Sequence, residues 1–164
     1  MSAARANSSI AWAALALGLA LSACAHNNPD DLAAGVSAAG PGSVQEFNQT
    51  IGDRVFFDTD ATDLSATAQA TLDKQAAWLN KYSHYSFTIE GHADERGTRE
   101  YNFALGARRA QTVHDYLVAK GVSASRMKTI SYGKERPVAV CDDISCWSQN
   151  RRAVTVLNGA PGSS

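Results

Sequence analysis

The segment from Thr98 to Lys120 constrains this chain most, because it reads as an amphipathic helix with an arginine inside its apolar stripe. At about 100° per residue, Leu105, Ala110, Val113, Tyr116 and Leu117 fall within one arc around Asn102, and Arg109 lies about 20° from Asn102 inside it. Arg108 points well away and reads as a solvated surface charge. A guanidinium on a core-facing stripe must find partners, because an unpaired buried charge costs several kcal/mol. Gly121 supplies a left-handed stop, with Val122 placed for the accompanying apolar contact. Any fold must therefore bury one face of this helix and surround Arg109 with polar groups.

The flanking segments suit that task. Arg54 to Phe57 reads as a short strand, followed by a polar loop through Asp63. Asp63 or Ser65 can cap a helix reaching about Lys81, which carries Leu64, Leu72, Ala76 and Leu79. Tyr85, Phe87 and Ile89 alternate with Ser86, Thr88 and Glu90, the pattern of a half-buried strand. Met127 to Tyr132 and Ala153 to Leu157 read as a third and a fourth strand. Strands alternating with helices predict an α/β fold, a two-layer α/β sandwich. Hydrophobic residues make up 45% of the 164, enough for one core. A net charge of −1 with mixed signs offers no basic surface for nucleic acid.

The N-terminus sets the compartment. Arg5 precedes an apolar run from Ile10 to Leu21, too short to span a bilayer and placed where a signal peptide lies. The run ends in Leu21-Ser22-Ala23-Cys24, which resembles a lipobox, in which the cysteine is acylated and becomes the mature N-terminus. Ala25 after that cysteine favours delivery to the outer membrane. Each buried methylene of an acyl chain contributes ~0.8 kcal/mol, and two or more chains anchor stably. Residues 1–23 are thus expected to be a signal peptide, 24–43 an acylated start and flexible tether, 44–158 the folded domain, and 159–164 a disordered tail.

The stretch Gly91 to Asn102, "GHADERGTREYN", concentrates ionisable groups ahead of the helix. Asp94 is the nearest acid in sequence that can answer Arg109. One reading is a structural Asp94–Arg109 salt bridge with Asn102 bridging the loop. The other sets acid and arginine slightly apart, sharing a zwitterion whose ammonium meets the carboxylate and whose carboxylate meets the guanidinium. Asn102 can serve either group. Glu95, Arg96, Arg99 and Glu100 read as solvent-facing.

"FFDTD" at 56–60, "IEGHADERGTREYNFALGARRA" at 89–110, "ISYGKERP" at 130–137 and "NRRAVTVL" at 150–157 together resemble an OmpA-like peptidoglycan-binding domain. The resemblance implies a β/α/β/α/β domain, with no cofactor, whose groove holds the meso-diaminopimelate of the peptidoglycan stem peptide. It implies that Asp94 and Arg109 grip the free amino acid end, with Asn102 beside them. Asp60 then lines the groove, and Arg152 is a second basic contact with Arg151 as the adjacent alternative. Gly91 and Gly97 would let the loop approach the ligand. The family usually has threonine where Ala93 stands, so one ligand hydrogen bond, worth ~0.5–1.5 kcal/mol, is missing or made by backbone. With the lipobox, the resemblance also implies a lipid-anchored member of the Tol–Pal system that contacts the β-propeller protein TolB.

Enzyme readings fare worse. His84, His92 and Asp94 match no metal motif, and no nucleophile-elbow sequence is present. Cys141 and Cys146 are too few for a zinc site. In an oxidising compartment they are expected to form a disulfide closing a small loop between the third and fourth strands.

Overall fold

The computed structural model describes residues 40–158. The expected signal segment, the Cys24 anchor, most of the tether and the tail lie outside them. In chain order, α1 (Val44–Glu46) runs into a π-helical segment (Phe47–Gly52), followed by β1 (Arg54–Phe56), α2 (Ala66–Lys81), β2 (Ser86–His92) and α3 (Arg99–Ala119). A 3-10 turn (Ala124–Arg126), β3 (Met127–Gly133), α4 (Ile144–Asn150) and β4 (Arg152–Asn158) complete it. The strands form one sheet in the order β1-β4-β2-β3, antiparallel except for the β2–β3 pair, which the α3 crossover joins. Helices α2 and α3 bury the apolar face of this sheet, giving the expected two-layer α/β sandwich.

The local signals explain the boundaries. Ser65, not Asp63, caps α2, its side chain accepting from the Ala68 N–H, and Thr98 caps α3 by accepting from that of Tyr101. At the far end of α3, Gly121 takes φ +87° and the Val122 N–H reaches back to the Leu117 carbonyl. The core joins Leu72, Ala76 and Leu79 of α2 to Ala110, Val113 and Leu117 of α3 over Phe87 and Ile89 of β2. Arg108 is exposed, as its place on the wheel requires.

One glycine has a different task from the one its sequence neighbourhood suggested. A Cβ on Gly91 would sit 1.8 Å from the Gly106 carbonyl oxygen, and one on Gly106 would sit 2.4 Å from Ser131 Oγ. Gly91 therefore lets α3 lie directly on β2; its missing side chain serves helix packing rather than a ligand. Gly97, at φ +87°, does turn the loop before α3.

Packing also begins before Val44. The Tyr85 hydroxyl donates to the Gly42 carbonyl at 2.8 Å, and Glu46 Oε2 accepts from the Gly42 N–H and from Trp78 Nε1. Phe47, fully buried, lies with its ring 4.9 Å from that of Trp78. Helix α4 was not foreseen. Asp143 caps it, and a Cys141–Cys146 disulfide, between β3 and β4 as expected, ties its first turn to the preceding loop.

Candidate ligand-binding site

Asp94 stands just beyond β2 on a loop whose backbone is fastened residue by residue. The Ala93 N–H donates to the Gly133 carbonyl at 2.8 Å, so it is already engaged where the family's threonine would add a hydroxyl. Lys134 Nζ donates to the carbonyls of Glu95 and Gly97, and Asn102 Nδ2 donates to that of Arg96 at 2.7 Å. Asn102 is 1% exposed, so it braces the loop from beneath.

Arg96 and Arg151 occupy both oxygens of Asp94. Oδ1 accepts from the Arg96 N–H at 3.1 Å and Arg96 Nε at 3.2 Å, while Oδ2 accepts from Arg96 Nη2 at 2.7 Å and Arg151 Nη1 at 3.3 Å. Burial pushes the Asp94 pKa up, but the bonds from Arg96, then Arg151, hold it below the usual carboxylate range. Arg96 is thus bound into the site rather than free in solvent. Its guanidinium lies 4.2 Å from the centre of the Trp147 ring, and Trp147 Nε1 donates to Glu95 Oε1. Helix α4 thereby backs the loop.

Arg109 is fully buried, and its partners are carbonyls: Ala61 to Nε at 2.9 Å, His92 to Nη1 at 2.8 Å and Asp58 to Nη2 at 3.1 Å. The direct Asp94–Arg109 salt bridge is not formed; Asp94 pairs with Arg96 and Arg151 instead. Burial, then the neighbouring Arg151, pushes the Arg109 pKa down to about 10, which still leaves it charged at neutral pH. The guanidinium ties the 58–61 loop to the end of β2. Asp60 sits on that loop at φ +54°, exposed, accepting from the Tyr101 hydroxyl at 3.3 Å. Arg96 and Arg151 bond Asp94, and Arg109 lies close enough to feel its charge, while Asp60 and Glu95 add negative charge nearby.

The structure separates Arg151 from Arg152. Arg151 precedes β4, donates through Nε to the Phe57 carbonyl and through Nη1 to Asp94, and lines a cavity of about 360 Å³ with Phe57, Asp58, Asp63, Ser148 and Gln149. Arg152 shares β4 parity with Val154 and Val156, opposite to the helix-facing Ala153 and Thr155, so it lies on the other side of the sheet. There it donates to the carbonyls of Asn150 and Arg136, away from Asp94. Arg151, the alternative, therefore takes the place expected of Arg152. Strand parity was the signal that could have found this. No sequence pattern marked Arg96 or Trp147.

His92 is 2% exposed and neither ring nitrogen has a hydrogen-bond partner. Burial first, then Arg152, Arg136 and Arg54, push its pKa down to about 4, so it is neutral at pH 7. Among the described residues no three His, Cys, Asp or Glu side chains come together as a metal site would require.

Comparison with known proteins agrees with this fold. The OmpA family model matches residues 56–151. A peptidoglycan-associated lipoprotein of Rhizobium meliloti is 67% identical, over 90% of this chain and 86% of its own length. One from Haemophilus influenzae is 44% identical over 82% of this chain and 88% of its own. The crystal structure of the peptidoglycan-associated lipoprotein from Burkholderia pseudomallei superposes with a TM-score of 0.66 at 38% identity, covering 70% of this chain and 98% of that one. The C-terminal domain of Helicobacter pylori MotB, at 20% identity and a TM-score of 0.61 over 65% of this chain and 84% of its own, shares the fold. The chain belongs to the OmpA family, among its peptidoglycan-associated lipoproteins.

Proposed function

We propose that this protein tethers a membrane to the cell wall by gripping the diaminopimelate of peptidoglycan without cleaving it. The observation that carries this reading is Asp94 bonded by Arg96 and Arg151, with the charge of buried Arg109 nearby and Arg151 also lining a pocket of about 360 Å³. An ammonium can take the carboxylate while the adjoining carboxylate of the same ligand meets guanidinium donors. Arg109 acts as a fixed buried charge and as the brace that sets the 58–61 loop. Asn102 holds the Asp94 loop, and Asp60 stands at the rim.

His92 is sealed and kept neutral, and Asp94 is held ionised by its partners, so neither is poised to move a proton near pH 7. The anchor in this reading is acylated Cys24, which places the domain in the periplasm on an outer-membrane lipid tether. Among the described residues no helix is long and apolar enough to cross a membrane. Membership of the Tol–Pal system, with TolB as a partner, completes the proposal by analogy with the family.

The test is sedimentation of the purified protein with insoluble peptidoglycan. The protein should pellet with the wall, be released by excess free meso-diaminopimelate, and liberate no soluble wall fragments. Release of fragments, or pelleting indifferent to the competitor, would reject the reading.

A further inference from the structure

We propose that Arg96 makes this site select a zwitterion over a plain amine; this rests on the diaminopimelate reading above. Arg96 is the solvent-side partner of Asp94. Its side chain is 40% exposed, whereas those of Asp94 and Arg151 are 9% and 8% exposed. A ligand ammonium coming from solvent therefore meets the Arg96 guanidinium first and has to displace its Nη2 and Nε from the carboxylate.

What happens to the displaced guanidinium decides the specificity. The Arg96 backbone N–H still bonds Asp94 Oδ1, and Trp147 provides a flat face that keeps the guanidinium at the mouth of the site. Released from Asp94, it needs another anion. Glu95 is engaged with Trp147 Nε1 and Asp60 with the Tyr101 hydroxyl. The Asp60 and Glu95 carboxylates act on Arg96, but less strongly than Asp94 does. A carboxylate on the same carbon as the incoming ammonium answers this need, because it arrives where Arg96 has just been freed. An amine that lacks the carboxylate takes Asp94 and leaves Arg96 without the paired carboxylate it held. Arg96 thus exchanges one carboxylate for another when the right ligand binds.

Two blocked ligands that differ by one carboxylate test this: Nα-acetyl-meso-diaminopimelic acid α-amide and Nα-acetyl-lysine amide. Affinities for the purified protein and for Arg96→Ala are measured by calorimetry, with melting temperatures alongside. The wild-type protein should bind the first and reject the second, and Arg96→Ala should shrink that ratio by about tenfold or more, the worth of one charge-assisted bond. An unchanged ratio in Arg96→Ala would overturn the role of Arg96 while leaving diaminopimelate recognition intact. Wild-type protein that binds neither ligand would overturn both. A second measurement uses the wild type alone. The Arg96 Nε–H and Trp147 Nε1–H resonances should move on saturation with the zwitterion, and an Arg96 signal that stays in place would also overturn the exchange.

Discussion

Leu117 and Arg109 lie two turns apart on the same face of α3, and both are fully buried, yet they hold different things in place. Leu117 sits in an aliphatic and aromatic cluster shared with α2 and the sheet, where attraction is non-directional and many neighbours contribute a little. Arg109 donates to three carbonyls, two on the 58–61 loop and one at the end of β2, through bonds that are directional. The apolar end sets how strongly the domain folds. The polar end sets where Asp58, Ala61 and His92 stand relative to Asp94, which is the geometry a ligand meets.

Paired substitutions separate the two ends. Leu117→Ala should lower unfolding stability by about 2–5 kcal/mol through lost burial and a cavity. Peptidoglycan binding should nonetheless persist wherever the protein is still folded. Arg109→Met should cost a comparable amount, about 3–5 kcal/mol, because it leaves three inward carbonyls without a donor. It should also abolish sedimentation with peptidoglycan under conditions where circular dichroism shows the native fold. A folded Arg109→Met protein that pellets normally would remove the distinction.

A second, somewhat smaller effect concerns pH. His92 has a folded pKa of about 4, below its ordinary 6.5, so the fold favours the neutral ring. Its contribution is fully present above pH 6.5 and is lost as pH falls toward 4. The Glu90 carboxylate, 3.6 Å from Nε2, does not offset the burial and the three arginines. Denaturant titrations across that window should show stability falling by up to about 3 kcal/mol, and a His92→Gln protein should give a flatter profile. Asp94, held below its usual carboxylate range, adds its own loss only at more acid pH. Equal slopes in the two proteins would show that His92 is not the group responsible.

The smallest effect belongs to the periphery of the polar end. The Cys141–Cys146 bridge closes a loop of sequence separation 5, which in the chain-entropy model contributes about 2 kcal/mol. Because α4 carries Trp147 to Arg96 and leads into Arg151, the Cys141→Ser/Cys146→Ser double change should weaken wall binding modestly while the domain stays folded. Unchanged affinity would make the bridge a local stabiliser only.

These two ends also differ in how much of them the sequence disclosed. Helix α3 was legible because its period, the Thr98 cap and the Gly121 stop all point to the same boundaries. The apolar stripe named Leu105, Ala110, Val113, Tyr116 and Leu117; four are buried and Tyr116 is half-buried at the edge of the core. The same wheel marked Arg109 as needing partners but could not name them. Backbone carbonyls leave no trace in a sequence, whereas Asp94 invited pairing simply by being acidic and near. The family resemblance points to Arg152, with Arg151 as the adjacent alternative, and alignment of two neighbouring arginines does not say which faces the site. A one-residue shift along β4 moves a side chain to the opposite face of the sheet. Helix α4 leaves little trace in the sequence because it is short and only Asn150 of it is buried, with Asp143 alone to mark its start.

If Asp94 receives the ligand ammonium, Asp94→Asn removes that capacity with little change of shape. The amide keeps an acceptor for the Arg96 N–H but removes the charge that an ammonium needs. In the peptidoglycan sedimentation assay, with melting temperature measured on the same sample, folded Asp94→Asn protein should stay in the supernatant while wild type pellets. Folded Asp94→Asn protein that pellets with wild-type affinity would contradict that role.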